Sequence, residues 1–257
     1  LGIVPAAGHS SAKEEHVVAA MKVGMRHMTH IWSAQSTTVR EGPWRKPGLL
    51  EASLTFDGLT VEMISDNTHL PPTLMKLAYK CIGADRLCAI SDATSGAGLP
   101  EGSRFKMGGM EYEVCDGVGM MFDRSAFAGS TTLVNQMIPI LNEVVGIPLV
   151  EVIRMLTLTP AKAIGVSDRL GSLEASKEAD VAIFNNDYSA WRVMHRHLFP
   201  GEGNIDFEGI FKELVRQGYD GPVGIDLGSI PNLGKRYAEC AVWLREFAKK
   251  QGFNLEG

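Results

Sequence analysis

The sequence predicts an α/β protein: part of a parallel (β/α) barrel, interrupted by a small β segment and followed by a C-terminal βα appendage. Three observations predict it. Apolar, β-branched runs alternate with stretches of helical spacing between Gly2 and Ala93. Four strand-like runs in succession give way to a loop at a polar residue, namely His9, His30, His69 and Asp92. From Lys106 to Asp123, aromatic and β-branched residues between glycines break the alternation.

The elements follow in order. GIVPAA reads as a short buried strand. Ser11 followed by Glu14 matches a capping box, so a helix is expected over EEHVVAAMKVG, stopped at Gly24. RHMTHIW reads as a second strand, and residues 33–46, with Gly42 and Pro43, as a long polar loop. LTVEMIS is a third strand, DNTHLPP a loop and TLMKLAYKCIG a helix; DRLCAISDA repeats the pattern with a strand ending at an acidic residue. KMGGMEYEVCDGVGMMFD predicts a small antiparallel excursion. STTLVNQMIPILNEV and PLVEVIRMLTLTPAKAIG predict two helices, limited or kinked by Pro139, Pro148 and Pro160. DRLGSLEASKEADVAIFNND reads as a hairpin-like β segment turning near Ser176 and Lys177. The last section predicts a helix from about Phe207 to Gln217, a strand PVGIDL and an amphipathic helix RYAECAVWLREFAKK. A change of character between Val193 and His197 divides the chain into residues 1–194 and 195–257.

Composition bounds the function. With 257 residues, 45% hydrophobic and 21% charged, the chain can bury a substantial core in one large or two small domains. A formal charge of -5 and the lack of basic runs argue against nucleic acid as a partner. No apolar stretch reaches the roughly 18 residues of a membrane span, and the start lacks the layout of a signal peptide, so a cytoplasmic location and no membrane partner are expected. Cys81, Cys88, Cys115 and Cys240 are scattered without CxxC spacing and are expected to be reduced, buried thiols. The chain opens at Leu1 directly in an apolar run, as a fragment would.

In a parallel barrel the loops after the strands share the C-terminal face, where catalytic groups gather. Imidazoles at the ends of adjacent strands, His9 and His30, form a candidate pair of divalent-metal ligands, with a third protein ligand still needed. Asp92, at another strand end, suits the acid/base role of metal-assisted hydrolysis. The plainer readings are a surface histidine for His16, no site role for His27, a solvated charge for Arg40 and core filling for the methionines of GVGMMF.

GHSSA, MTHIWSAQ with His30 21 positions after His9, VREGP, SDNTHLPP, LCAISDATSGAG, FAGSTTL, LTLTPAKAIG and RLGSLEASKEADVAIF together resemble, in order and spacing, the N-acetylglucosamine-6-phosphate deacetylases of the amidohydrolase superfamily over about residues 1–193. The resemblance implies a barrel of amidohydrolase type. It implies His9 and His30 as metal ligands, Asp92 as general acid/base, and His69 and Arg40 as contacts of the sugar phosphate, where Arg offers a charge-assisted fork. Ser33 and Ala34 fall where the family holds the sugar, with Ser33 standing where an Asn is expected, and Phe127, Ala128 and Gly129 match a loop lining the substrate pocket. The implied cofactor is a divalent metal, zinc first and iron or another transition metal second. The implied partner is an amino-sugar phosphate, with a homo-oligomer expected. The implied reaction is hydrolysis of the acetamide to acetate and an amino-sugar phosphate.

The resemblance places the family's third metal ligand, a Glu, and a carbonyl-polarising His before Leu1. The tail, FPGEGNIDFEGIFKELVRQGYDGPVGIDL, resembles the end of the xylose-isomerase-like sugar isomerases and epimerases, with Asp226 where that family has a metal-binding Glu. Two other readings stand beside the deacetylase: a deacylase of a different N-acyl substrate, marked by Ser33 and the EGPWRKPG loop, and a non-catalytic truncated hybrid.

Overall fold

The central strands bury Met28, Val61 and Met63 in the core, while His27, Thr60 and Glu62 alternate with them on the opposite face. In the computed structural model, which describes residues 3–174, 177–178, 181–182, 206–218, 223–224 and 233–252, they form a four-stranded parallel sheet. Its strands are β1 (Ala6–Ala7), β2 (His27–Met28), β5 (Thr60–Ile64) and β6 (Leu87–Ile90), in the order β1-β2-β5-β6. Ala6 pairs with His27, His27 with Thr60, and Val61 with Leu87. Met28, Val61, Met63 and Leu87 are fully buried in one core with Val17 of helix α1 (Glu14–Lys22), Leu49 and Ala52 of α2 (Leu49–Thr55), and Met75 and Ala78 of α3 (Pro72–Ile82).

Local chemistry sets the boundaries. Helix α1 starts where expected, but its N-cap is Lys13, not Ser11; the exposed His16 accepts the Lys13 backbone N–H at 2.9 Å. Helix α3 opens with Pro72 at its first position, where no N–H is needed. Residues 33–46 are not an irregular loop throughout. Val39–Glu41 (β3) and Trp44–Lys46 (β4) pair as a hairpin whose extended runs carry a β-branched and an aromatic residue, and a Lys13–Glu41 ion pair ties it to the start of α1.

The excursion after Asp92 is an antiparallel sheet in the order β10-β9-β8-β7. It comprises β7 (Arg104–Met107), β8 (Met110–Cys115), β9 (Val118–Met120) and β10 (Phe127–Ser130) around Phe105, Tyr112, Val114 and Ala128. Its two tight turns, Gly108-Gly109 and Asp116-Gly117, have positive φ at both central residues, the requirement of a two-residue hairpin loop. Helix α4 (Val134–Pro139) runs into a π-helical turn at Ile140–Val144. The helix expected over PLVEVIRMLTLTPAKAIG is two, α5 (Leu149–Leu156) and α6 (Leu158–Ala163), broken at Thr157 because Pro160 has no N–H to offer the Leu156 carbonyl.

Residues 1–171 form one compact unit and 172–257 a second. In the second, helix α7 (Phe207–Arg216) is capped by Asp206, which accepts the Gly209 N–H at 2.9 Å; Phe207 and Phe211 pack against Trp243 and Phe247 of α8 (Leu233–Lys250). Strand β11 (Val181–Ala182) pairs in parallel with β12 (Val223–Gly224), with α7 between them in sequence; the turn expected near Ser176 lies outside the described residues. The division expected at residues 194 and 195, and Asp226, lie outside the described residues. Among the described residues no helix is long and apolar enough to cross a membrane. Cys88 and Cys240 are buried, whereas Cys81 is exposed and Cys115 half-buried, because each sits on the outer side of its element.

Candidate active site

Adjacent parallel strands place their C-terminal ends side by side. His9 and His30 each stand two residues past β1 and β2, Asp66 and His69 follow β5, and Asp92 stands two residues past β6. The four polar residues expected at strand ends therefore share one edge of the sheet. His9 and Asp92 both hold positive φ, 44° and 52°, a conformation uncommon outside glycine and concentrated at functional positions.

The imidazoles of His9 and His30 face one another, with Nε2 to Nε2 at 3.0 Å and ring centroids 4.7 Å apart. His9 is exposed and His30 buried. Two nitrogens of a tetrahedral zinc site stand about 3.3 Å apart, given Zn–N bonds of about 2.05 Å, so the pair fits two positions of such an ion. Metal-ligating histidines usually donate their other ring N–H to a carboxylate or carbonyl. His30 Nδ1 is buried without a hydrogen-bond partner, and its residue is held instead by its backbone N–H, which donates to Glu62 Oε2 at 3.3 Å. Among the described residues no third His, Cys or carboxylate completes a cluster with the two imidazoles. The one such group of three, Glu101, Cys115 and Asp116, lies in the antiparallel sheet, where Glu101 already accepts the Asp116 and Gly117 N–H groups.

Beside His30, His27 is buried and fully partnered, with Nδ1 2.7 Å from Thr60 Oγ1 and Nε2 3.0 Å from Glu62 Oε1. Burial opposes ionisation of Glu62, but the hydrogen bond and charge of His27 and the His30 N–H outweigh it, holding the carboxyl below its ordinary range. Burial, with Glu62 nearby, pushes the Cys88 thiol up to about 12, so it is inert as a nucleophile.

The other end of the row is built around Asp66. This buried carboxylate accepts the Thr68 and His69 N–H groups on Oδ1, both at 2.9 Å, and holds His69 Nδ1 at 2.6 Å on Oδ2. Burial would raise its pKa, but these hydrogen bonds bring it down to about 2. The His69 ring stands 4.9 Å from the Phe127 ring. Strand β10 is anchored where β6 ends: the Ser130 N–H donates to the Asp92 carbonyl at 2.9 Å, and the Thr94 N–H to the Ser130 carbonyl at 3.1 Å. Gly129, at φ 70°, sits where a side chain would run into Thr94 and come within 2.8 Å of the Asp92 carbonyl. His69, Asp92 and Phe127, Ala128 and Gly129 thus belong to one neighbourhood.

Ser33 and Ala34 lie in the turn after His30, with the Ser33 N–H donating to the His30 carbonyl at 3.2 Å and Ala34 at φ 49°. Arg40 is exposed on β3, and its Nε donates to the Gly42 carbonyl at 2.8 Å, within its own hairpin. The structure does not join it by a hydrogen bond to the strand-end histidines. Asp66 and Glu62 were not among the candidates read from sequence. Asp66 had a legible signal, an Asx-type turn opening three residues before His69, whereas Glu62 in an apolar strand had none.

Residues 2–213 match the amidohydrolase family. An N-acetylglucosamine-6-phosphate deacetylase of Vibrio furnissii is 31% identical over 188 residues, 73% of this chain and 45% of its own length. A crystal structure of the deacetylase of that name from Pasteurella multocida aligns with a TM-score of 0.64 at 32% identity, covering 70% of this chain and 45% of the other. A Mycobacterium smegmatis deacetylase carrying a D267A substitution, in complex with N-acetyl-D-glucosamine-6-phosphate, aligns with a TM-score of 0.59 at 28% identity over 64% of this chain and 43% of its own. The chain thus spans about half the length of the relatives it matches.

Proposed function

Because the chain belongs to the amidohydrolase family, we propose that it hydrolyses the acetamide of N-acetylglucosamine 6-phosphate to acetate and glucosamine 6-phosphate. The observation that carries this reading is the row of strand ends, with two facing imidazole nitrogens 3.0 Å apart at one end and Asp92 at the other. His9 and His30 would hold a divalent ion, zinc first and iron second given imidazole donors. Such an ion supplies polarisation of the amide carbonyl and a lowered pKa for water.

The residues supply the rest. Asp92 takes a proton from the attacking water as its oxygen bonds to the carbonyl carbon, then delivers that proton to nitrogen as the C–N bond breaks. The Ser130 N–H fixes the Asp92 backbone for this shuttle. Phe127, Ala128 and Gly129, with Ser33 and Ala34, line the sugar, while His69 and Arg40 receive the phosphate.

The test is acetate release by the zinc-loaded chain from N-acetylglucosamine with and without the 6-phosphate. Release from the phosphorylated sugar, cut about 10²–10⁴-fold in kcat by Asp92→Asn, is the expected result. No release from either sugar overturns hydrolysis; equal rates on both remove the phosphate role of His69 and Arg40. One observation favours a second reading: the described residues give the imidazole pair no third ligand. A chain that binds the phosphorylated sugar when metal-loaded but never turns it over would be a non-catalytic relative.

A further inference from the structure

We propose that Asp66 is a positioning residue for His69: it keeps the proton on Nδ1 and so leaves Nε2 as the working nitrogen of a ring held beside Phe127. The inference deepens the reading above and rests on His69 meeting the sugar phosphate.

The two oxygens of Asp66 divide their work. Oδ1 accepts two backbone N–H groups, those of Thr68 and His69, which closes the turn after β5. A turn needs no more than this. Oδ2 is left for the ring, and the contact to Nδ1 at 2.6 Å is short, as hydrogen bonds to an ionised acceptor are. An ionised carboxylate has only acceptors, so a hydrogen bond to it requires a proton on Nδ1. The carboxylate is fully enclosed at its side chain, which keeps water from competing for the ring. Phe127 stands 4.9 Å from the ring on another element and limits its rotation. The outcome is an imidazole with fixed orientation and a fixed inner proton.

That arrangement decides what Nε2 can do. With Nδ1 donating to the carboxylate, Nε2 is the nitrogen left for a ligand, and donation from it to a phosphate oxygen engages the ring in the form in which both nitrogens are donors. Without the carboxylate the proton would move to whichever nitrogen the surroundings favour. Asparagine at this position separates positioning from turn formation. Its carbonyl oxygen still serves the two backbone N–H groups, while its amide donates to Nδ1 and forces the opposite tautomer.

The experiment uses the full chain with ¹⁵N-labelled histidine. Ring ¹⁵N shifts of His69 are recorded for the parent and for Asp66→Asn, and affinity is measured for N-acetylglucosamine 6-phosphate and for N-acetylglucosamine. Nδ1 should be protonated in the parent and bare in D66N, and D66N should weaken the phosphorylated ligand roughly tenfold with the unphosphorylated one unchanged, the difference between a charged and a neutral donor to the phosphate. A bare Nδ1 in the parent overturns the proposal, as does a proton remaining on Nδ1 in D66N, and the parent spectrum decides even where the variant does not fold. Tautomers as expected with both ligands weakened equally support Asp66 as the positioning residue and discard the phosphate reading instead.

Discussion

The His9–His30 pair and the Asp66–His69 pair sit on the same edge of one sheet, yet they are completed in opposite ways. His69 has a buried anion behind it and an aromatic ring beside it, so its geometry is finished by the chain itself. His9 and His30 have only each other: their Nε2 atoms meet at 3.0 Å, and the buried Nδ1 of His30 has no partner. Two neutral imidazoles in contact share a single N–H, and on the buried ring of His30 this leaves Nδ1 without a partner. One ring is thus supplied with its partner by the chain, whereas the other pair keeps an unsatisfied nitrogen, which is where the proposed cation would make its difference. His27 and Glu62 make the same point from beside His30, since that imidazole is satisfied at both nitrogens and has nothing left to offer a ligand.

The largest effect expected from breaking this contrast is on metal content. Elemental analysis of the purified chain should find about one divalent ion, lost in both His9→Ala and His30→Ala and kept in Asp66→Asn. Zinc at a hundredfold excess over its Kd should stabilise the parent by about 2.7 kcal/mol and leave the two histidine variants unmoved. An ion retained in His30→Ala would place its ligands elsewhere and reduce the facing imidazoles to a hydrogen bond.

Acid sharpens the contrast from the other side. The Asp66 carboxyl titrates near 2 in the folded chain and near 3.9 when unfolded. A carboxylate depressed by folding contributes stability that is fully present above about pH 4 and is lost as pH falls through 2. For Asp66 the contribution is about 2 kcal/mol. Urea unfolding at pH 5 and at pH 2 should therefore cost the parent more than D66N by roughly that amount. Glu51, also brought to about 2, by the Gly48 and Thr38 N–H groups and the Thr37 hydroxyl against its burial, loses the same in both proteins and cancels. Equal acid losses in parent and variant would mean that Asp66 carries no folding-linked charge.

How far the sequence carried can be judged element by element. Strand ends and the antiparallel excursion were legible because period-two and glycine-turn patterns are local, and GHSSA, MTHIWSAQ and LCAISDA placed His9, His30 and Asp92 at the right boundaries. The Thr157 break was half-legible: Pro160 signalled a kink, but whether a helix bends or restarts depends on packing around it. The partners of His27 and His69 were not legible. Glu62 lies 35 residues from His27, and which face of β5 it takes depends on parallel register, which no local pattern records. The β11–β12 pairing was not legible for the same reason, since the parallel partner lies beyond a helix. His16 as a helix cap was invisible because its acceptor nitrogen serves the backbone of Lys13, three residues back.

The smallest expected effect concerns Arg40, the least constrained of the proposed substrate contacts. Where His69 is fixed by a buried carboxylate, Arg40 extends from an exposed hairpin and donates to the Gly42 carbonyl of its own turn. Its removal takes nothing from the core, so Arg40→Ala should change stability by no more than about 0.5 kcal/mol. A cation that meets the phosphate, remote from the bond being cleaved, contributes equally to the ground and transition states. Arg40→Ala should then raise KM for the phosphorylated sugar roughly tenfold with kcat unchanged, the signature of uniform binding. Arg40→Lys should recover only part of the loss, because a point charge replaces a two-pronged donor. A fall in kcat instead would bring Arg40 into the chemistry, and an unchanged KM would leave phosphate recognition to the His69 side of the site, where the geometry is already set before any ligand arrives.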